Sequence, residues 1–209
     1  MSDSLLWFNT QIPKEILDNM VRDLKFFDKE FDRSVIWDED KESSNLRKSQ
    51  NAWIPTSHWI SGFLWHYIRM ANNRNFHYDL TCIDNHQLQY TCYEKGSYYT
   101  WHTDGGVDHT ILTPTGSDSW GENPKQLIDD QILKNANLVR KLSFVLQLTP
   151  GDQYEGGELQ VENCGGVFSA GKEQGSLIFF DSRTRHRVTE VTKGTRKSLV
   201  GWVLGPEWK

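Results

Sequence analysis

The segment that most restricts the fold runs from Lys141 to Thr149, where Leu142, Phe144, Leu146 and Leu148 alternate with Lys141, Ser143 and Gln147. Alternation with a period of two puts the apolar set on one face of a strand, and such a face needs a second layer to cover it. Further short segments of strand character lie near 87–93, 98–104, 157–162, 175–181, 185–192 and 196–204. Glycine turns at Gly151, Gly156, Gly157, Gly165, Gly166, Gly171, Gly175 and Gly194 punctuate them. Many short strands at this spacing predict a sandwich or a barrel-like jelly roll.

The first part of the chain has a different period. Ile16, Leu17, Met20, Val21, Leu24 and Phe27 recur at helical spacing behind Pro13, predicting a helix over 13–27. A second helix is predicted over 56–71, with Trp59, Ile60, Phe63, Leu64, Tyr67 and Met70 on one broad face. The polar stretch from Asp38 to Asn51 reads as a loop. The expected architecture is therefore mainly β with N-terminal helices, a jelly-roll core supported by α-helices. It is read as one domain over 1–209: a helical support region over 1–86, then the β core over 87–204. That core is interrupted by a 105–139 excursion containing Pro114, Gly116, Trp120, Gly121 and Pro124, a candidate lid.

Composition narrows the function. Lys and Arg total 23 against 28 Asp and Glu, a net charge of −5, which disfavours broad phosphate-driven binding to nucleic acid. Cys82, Cys92 and Cys164 show no CxxC spacing, so neither a disulfide framework nor a cysteine zinc site is indicated. No signal peptide and no membrane span is read, and the expected location is cytoplasmic. Nothing in the chain sets an expectation of oligomeric state.

The chemistry gathers around His102-Thr103-Asp104. On a strand, residues i and i+2 share a face, so the imidazole and the carboxylate can converge on one ion. Two histidines and a carboxylate on one face of an octahedron form the arrangement typical of non-haem iron(II) oxygenases. An isolated HxD pair is common, and the neighbouring motifs decide its meaning. The run Tyr93-Glu-Lys-Gly96-Ser-Tyr-Tyr99-Thr-Trp-His102-Thr-Asp104 resembles the YxxGxxYxxHxD segment of the prolyl 4-hydroxylase-like 2-oxoglutarate oxygenases. Gly156-Gly157-Glu158-Leu159 resembles their GGEL turn, and Gly175 to Phe180 leads into His186, with Arg196 ten residues on. The match spans about Leu88 to Trp202 in the family's order.

The resemblance implies a double-stranded β-helix (cupin-like) and a set of roles. His102, Asp104 and His186 would hold Fe(II) as the catalytic centre, with 2-oxoglutarate as cosubstrate, O2 as oxidant and ascorbate as reductant. Tyr93 takes the position whose hydroxyl contacts 2-oxoglutarate, and Arg196 the position of the cation for its far carboxylate. A planar guanidinium suits that role because it pairs bidentately and stays charged. Ser198, at i+2 from Arg196, shares its face, as does Trp202. The carboxylate at Asp104 implies hydroxylation rather than halogenation, with succinate and carbon dioxide as coproducts. The expected partner is a protein or peptide carrying the prolyl residue; the alternatives are a free amino acid or other small molecule, and a non-catalytic metal-binding module. Arg183, Arg185 and Arg187 flank the third ligand, as a solvated strand edge or a contact for an acidic substrate. His58, His66, His77, His86 and His109 lack ligand spacing and are assigned no role.

Overall fold

Alternation in the central strand separates the two layers of the molecule. The computed structural model describes residues 5–8, 12–33, 46–84, 88–105, 138–163 and 165–208. Their elements are β1 (Leu5–Phe8), α1 (Lys14–Leu24), β2 (Asp32–Arg33), β3 (Arg47–Lys48), β4 (Gln50–Ile54), α2 (Trp59–Ala71), β5 (Cys82–Ile83), β6 (Leu88–Tyr93), β7 (Tyr98–His102) and β8 (Leu138–Gln147). There follow β9 (Tyr154–Gly156), β10 (Leu159–Asn163), β11 (Gly166–Ser169), β12 (Leu177–Asp181), β13 (His186–Val188), β14 (Val191–Gly194) and β15 (Arg196–Pro206). The larger sheet runs β1-β12-β8-β15-β6-β4-β2, with β5 also on β15. The smaller runs β11-β10-β13-β7-β3, and β14 pairs with β9. The recorded pairings are antiparallel, as hairpin and jelly-roll connections require.

Leu142, Phe144 and Leu146 of β8 face the helices, while a register shift near Val203 turns Arg140 toward the cavity. Leu142, Phe144 and Leu146 join Leu177, Phe179, Leu199 and Val203 in one buried cluster with Met20, Leu24, Ile60, Leu64 and Ile68 of the helices. Each such side chain contributes about 1.5–3 kcal/mol by leaving water, so this layer carries much of the stability. The odd-numbered side faces the smaller sheet: Val145, Ile178 and Phe180 pack on Leu159 and Val161. The space between the sheets is therefore half apolar core and half site.

Local chemistry moves some boundaries. α1 begins behind Pro13, as predicted, but stops at Leu24, and Lys25–Glu30 tightens into a 3-10 turn. α2 starts three residues later than predicted because His58 caps it, its side chain accepting from the Ile60 amide. The stretch read as a loop ends in two strands, β3 and β4, which switch from the smaller sheet to the larger through the buried Ser49. Their alternation is too short and too polar to stand out as a strand pattern. The segment read as one strand over 185–192 is split into β13 and β14, which belong to different sheets. At the turn before β10 both glycines have positive φ, and a Cβ on Gly156 would collide with the Glu190 carbonyl. The candidate lid lies outside the described residues over 106–137, as do His86, His109 and Cys164.

Candidate active site

Two neighbouring strands of the smaller sheet supply the histidines. β7 and β13 pair with His102 directly opposite His186, while Val188 pairs with Tyr99, so a bulge separates the two registers. That bulge brings Tyr99, three residues before His102, onto the same side, where its ring stacks on the imidazole at 3.5 Å and 16°. Asp104 reaches the histidines by another route than the predicted strand. β7 ends at His102, and the amides of Asp104 and Gly105 are both captured by the Ser182 carbonyl at 3.0 Å. A loop anchored to the end of β12 thus turns the carboxylate inward.

The resulting cluster has the form of a metal site. One ligand atom from each of His102, Asp104 and His186 lies within 4.8 Å of the others. His102 Nδ1 is 2.7 Å from the Thr100 carbonyl and His186 Nδ1 is 2.9 Å from the Thr184 carbonyl. A carbonyl only accepts, so both Nδ1 atoms carry the proton and both Nε2 lone pairs point inward as ligands. Those Nε2 atoms lie 3.7 and 3.4 Å from the Asp104 oxygens. Ser143 Oγ donates to Asp104 Oδ2 at 2.7 Å and shares a 3.0 Å contact with Ser182 Oγ, and Arg140 donates to the Asp104 carbonyl.

Electrostatics favour the ligand-competent forms. Burial, then the neighbouring His186, pushes the His102 imidazole down to about 4. Burial works to raise the Asp104 carboxyl, but His186, His102, Arg140 and the Ser143 hydroxyl together hold it below the usual carboxylate range. Burial raises the Tyr99 phenol to about 12, so it stays protonated.

Behind the cluster lies a cavity of about 230 Å³, lined among others by Tyr93, Arg196, Ser198 and Trp202. Arg196 is 1% exposed, and its Nε and Nη2 have no hydrogen-bond partner among the described residues. Ser198 Oγ and Trp202 Nε1 are likewise buried and unpartnered. Arg196 pairs across the ladder with Tyr93, whose ring lies 5.3 Å beneath its guanidinium. Buried donors of this kind are costly unless something accepts from them, and a carboxylate fits the fork. Iron(II) suits the histidine–carboxylate–histidine donors, and a dicarboxylate suits the polar pole beside them.

Sequence reasoning did not reach all of the surroundings. Ser143 and Ser182 orient Asp104, and Arg140 stacks on Trp202 at 4.0 Å while pairing with the buried Asp84 at 3.0 Å. Tyr154, 3% exposed, sits beside the Arg196 guanidinium with its hydroxyl outside hydrogen-bonding geometry. Arg47, from the region read as scaffold, also lines the cavity. Only the parity of Ser143 with Gln147 was available in advance. The three arginines around His186 have partners within the chain: Arg183 with Asp181, Arg185 with Glu162 and Arg187 with Gln160. This agrees with a solvated strand edge. Among the described residues no helix is long and apolar enough to cross a membrane.

Comparison with known proteins agrees with this geometry. A PKHD-type hydroxylase of Parvibaculum lavamentivorans is 52% identical over 62 residues, covering 30% of this chain and 28% of that protein. One of Rippkaea orientalis is 28% identical over 166 residues, covering 78% of this chain and 57% of that protein. The matches therefore span less than two thirds of these relatives. The fold is similar to a prolyl hydroxylase from Trichoplax adhaerens in complex with a hypoxia inducible factor oxygen degradation domain peptide fragment. The TM-score is 0.69 at 16% identity, over 97% of this chain and 84% of that one. Residues 88–204, more than half of the chain, match the family model described as the 2OG-Fe(II) oxygenase superfamily. With that match, a double-stranded β-helix and a histidine–carboxylate–histidine cluster that could hold a metal, the chain belongs to that superfamily.

Proposed function

We propose that this chain is an iron(II)- and 2-oxoglutarate-dependent hydroxylase acting on a prolyl residue in a protein or peptide, with succinate and carbon dioxide as coproducts. His102, Asp104 and His186 hold the metal, and Arg196 with Ser198 and Tyr93 holds 2-oxoglutarate. The observation that carries this reading is Arg196, a buried cation with donors that lack partners among the described residues, in the cavity that the three ligands border. A metal-binding module without turnover has no use for it. The PKHD-type relatives and the prolyl hydroxylase of like fold support the prolyl substrate.

Bound iron with 2-oxoglutarate supplies the oxidising chemistry from dioxygen. The chain's own groups position and protect. The Thr100 and Thr184 carbonyls fix the imidazole tautomers, and Ser143 fixes the carboxylate. Val145, Leu159, Phe180 and Val200 line the cavity with apolar surface and restrict water. Trp202 walls the same space.

The test is succinate formation by the purified protein with iron(II), ascorbate and 2-oxoglutarate, with and without proline-containing peptides. The expected result is peptide-stimulated succinate that disappears in His102→Ala. Absence of 2-oxoglutarate binding by calorimetry would sink the reading.

A further inference from the structure

Among the described residues three arginines line the cavity, and their surroundings assign two of them. Arg140 is paired with Asp84, and Arg196 faces the position proposed for the far carboxylate of 2-oxoglutarate. Arg47 differs. It lies outside the stretch matching the family model, at the edge of the smaller sheet where β3 pairs with β7. Its guanidinium sits 4.8 Å above the Tyr99 ring, which in turn stacks on His102. It is therefore one ring away from an iron ligand.

Among the described residues each hydrogen-bond partner of Arg47 is neutral. Nε donates to Ser49 Oγ at 2.8 Å, Nη2 to Asn51 Oδ1 at 2.9 Å and Nη1 to Gln89 Oε1 at 3.5 Å. Gln89 is oriented for this by its own amide, which donates to the buried Thr91 hydroxyl at 2.8 Å. Ser49, Asn51 and Gln89 are all buried, so the cradle is built rather than incidental. A guanidinium has five N–H groups, and these bonds leave donors to spare.

Charge decides what the spare donors await. Among the described residues Asp104 is the one carboxylate lining the cavity. On the proposed reading, iron(II), Asp104, doubly charged 2-oxoglutarate and Arg196 sum to zero, and Arg140 is neutralised by Asp84. Among the described residues Arg47 then remains as a single positive charge in a partly desolvated site, where an anion gains more than in water.

We infer that Arg47 is the recognition site for a carboxylate on the substrate, near the carbon to be oxidised. This rests on the proposed iron and 2-oxoglutarate site and adds to it the charge that a substrate must carry, whether peptide or free amino acid. The carboxylate is either the free acid of an amino acid or an acidic side chain close to the prolyl residue.

The test uses the full chain loaded with Mn(II) and 2-oxoglutarate and reads paramagnetic relaxation of N-acetylglycine protons against N-acetylglycinamide. The acid is expected to bind about tenfold or more tightly than the amide, the scale of one charge-assisted hydrogen bond. Arg47→Gln is expected to remove that difference and Arg47→Lys to keep part of it. Equal relaxation of acid and amide, or an unchanged preference in Arg47→Gln, overturns the inference. Failure of 2-oxoglutarate to bind in calorimetry overturns the proposed function instead, and the comparison with Mn(II) alone still reads Arg47. Succinate assays then separate the sources. Free amino acids are set against their amides, and proline peptides with neighbouring Asp or Glu against Asn or Gln. Stimulation by free acids assigns the carboxylate to the amino acid, and by acidic peptides to the side chain. Neutral members stimulating as well as their acidic counterparts also overturn it.

Discussion

Replacing Arg196 by Met is expected to stabilise the ligand-free protein while removing its response to 2-oxoglutarate. The side chain is 1% exposed and leaves Nε and Nη2 without partners among the described residues. An unsatisfied buried donor costs about 1–3 kcal/mol, and one on a charged group costs more. Methionine keeps the stem that packs near the Tyr93 ring but deletes the guanidinium, opening a small void worth about 1 kcal/mol. The net expectation is a gain of roughly 1–3 kcal/mol, or about 2–4 °C in Tm per kcal/mol for a chain of this size. Urea unfolding of both proteins without ligand measures the gain. In the wild type, 2-oxoglutarate at a hundred times its Kd adds about 2.7 kcal/mol by mass action, and in Arg196→Met it adds nothing. A destabilised variant, or one still stabilised by 2-oxoglutarate, would refute the assignment of Arg196 as an anion anchor held at a cost to the fold.

Other perturbations read other parts of the site. Ser143→Ala removes the 2.7 Å bond to Asp104 and is expected to weaken Mn(II) binding about tenfold or more without changing the far-ultraviolet circular dichroism. Gly201→Ala places a Cβ against the Phe144 ring and 2.9 Å from Leu88 Cδ2, and is expected to cost roughly 1–3 kcal/mol in urea unfolding with 2-oxoglutarate affinity retained. His102 has a folded pKa of about 4 against an ordinary 6.5, so between those values the unfolded chain binds more protons and stability rises with pH. Metal-free protein is expected to gain up to about 3 kcal/mol across that window, and His102→Ala to flatten the slope. An equally steep slope in that variant would assign it elsewhere.

Much of this was legible because strand periodicity and short motifs are local. The alternation over Leu142, Phe144, Leu146 and Leu148 named the helix-facing side of β8, and the glycine pair before Leu159 marked a turn that only positive φ can make. The histidines and aspartate were legible as a spacing. Their route into contact was not: Asp104 leaves the strand and depends on the Ser182 carbonyl, 78 positions away by chain numbering. The bulge that brings Tyr99 beside His102 is likewise a property of two strands and leaves no period in either. Arg47 was hidden for the same reason. Its strand has two residues, and its importance comes from β7 across the ladder rather than from its neighbours in sequence.

Preorganisation links these observations. The bonds to Thr100, Thr184, Ser143 and Ser182 hold the ligand side chains in place through the protein alone, and each is made by a strand or its immediate end. A metal entering such a site spends little of its binding energy on ordering side chains. Such a cluster carries a cost in the ligand-free state, since it brings two imidazoles and a carboxylate together out of water. The depressed His102 pKa is one expression of that cost, and the buried Arg196 donors without partners among the described residues add a second cost beside it. The helix-backed larger sheet supports it. Met20, Leu24, Ile60, Leu64 and Ile68 bury one face of the sheet whose other face carries Ser143, Arg196 and Ser198, so helix packing and the cavity wall meet in the same strands. Over Leu142 to Gln147 of β8 and Arg196 to Val203 of β15, alternate residues therefore face the helices and the cavity, with Val145 and Val200 adding apolar packing on the cavity side.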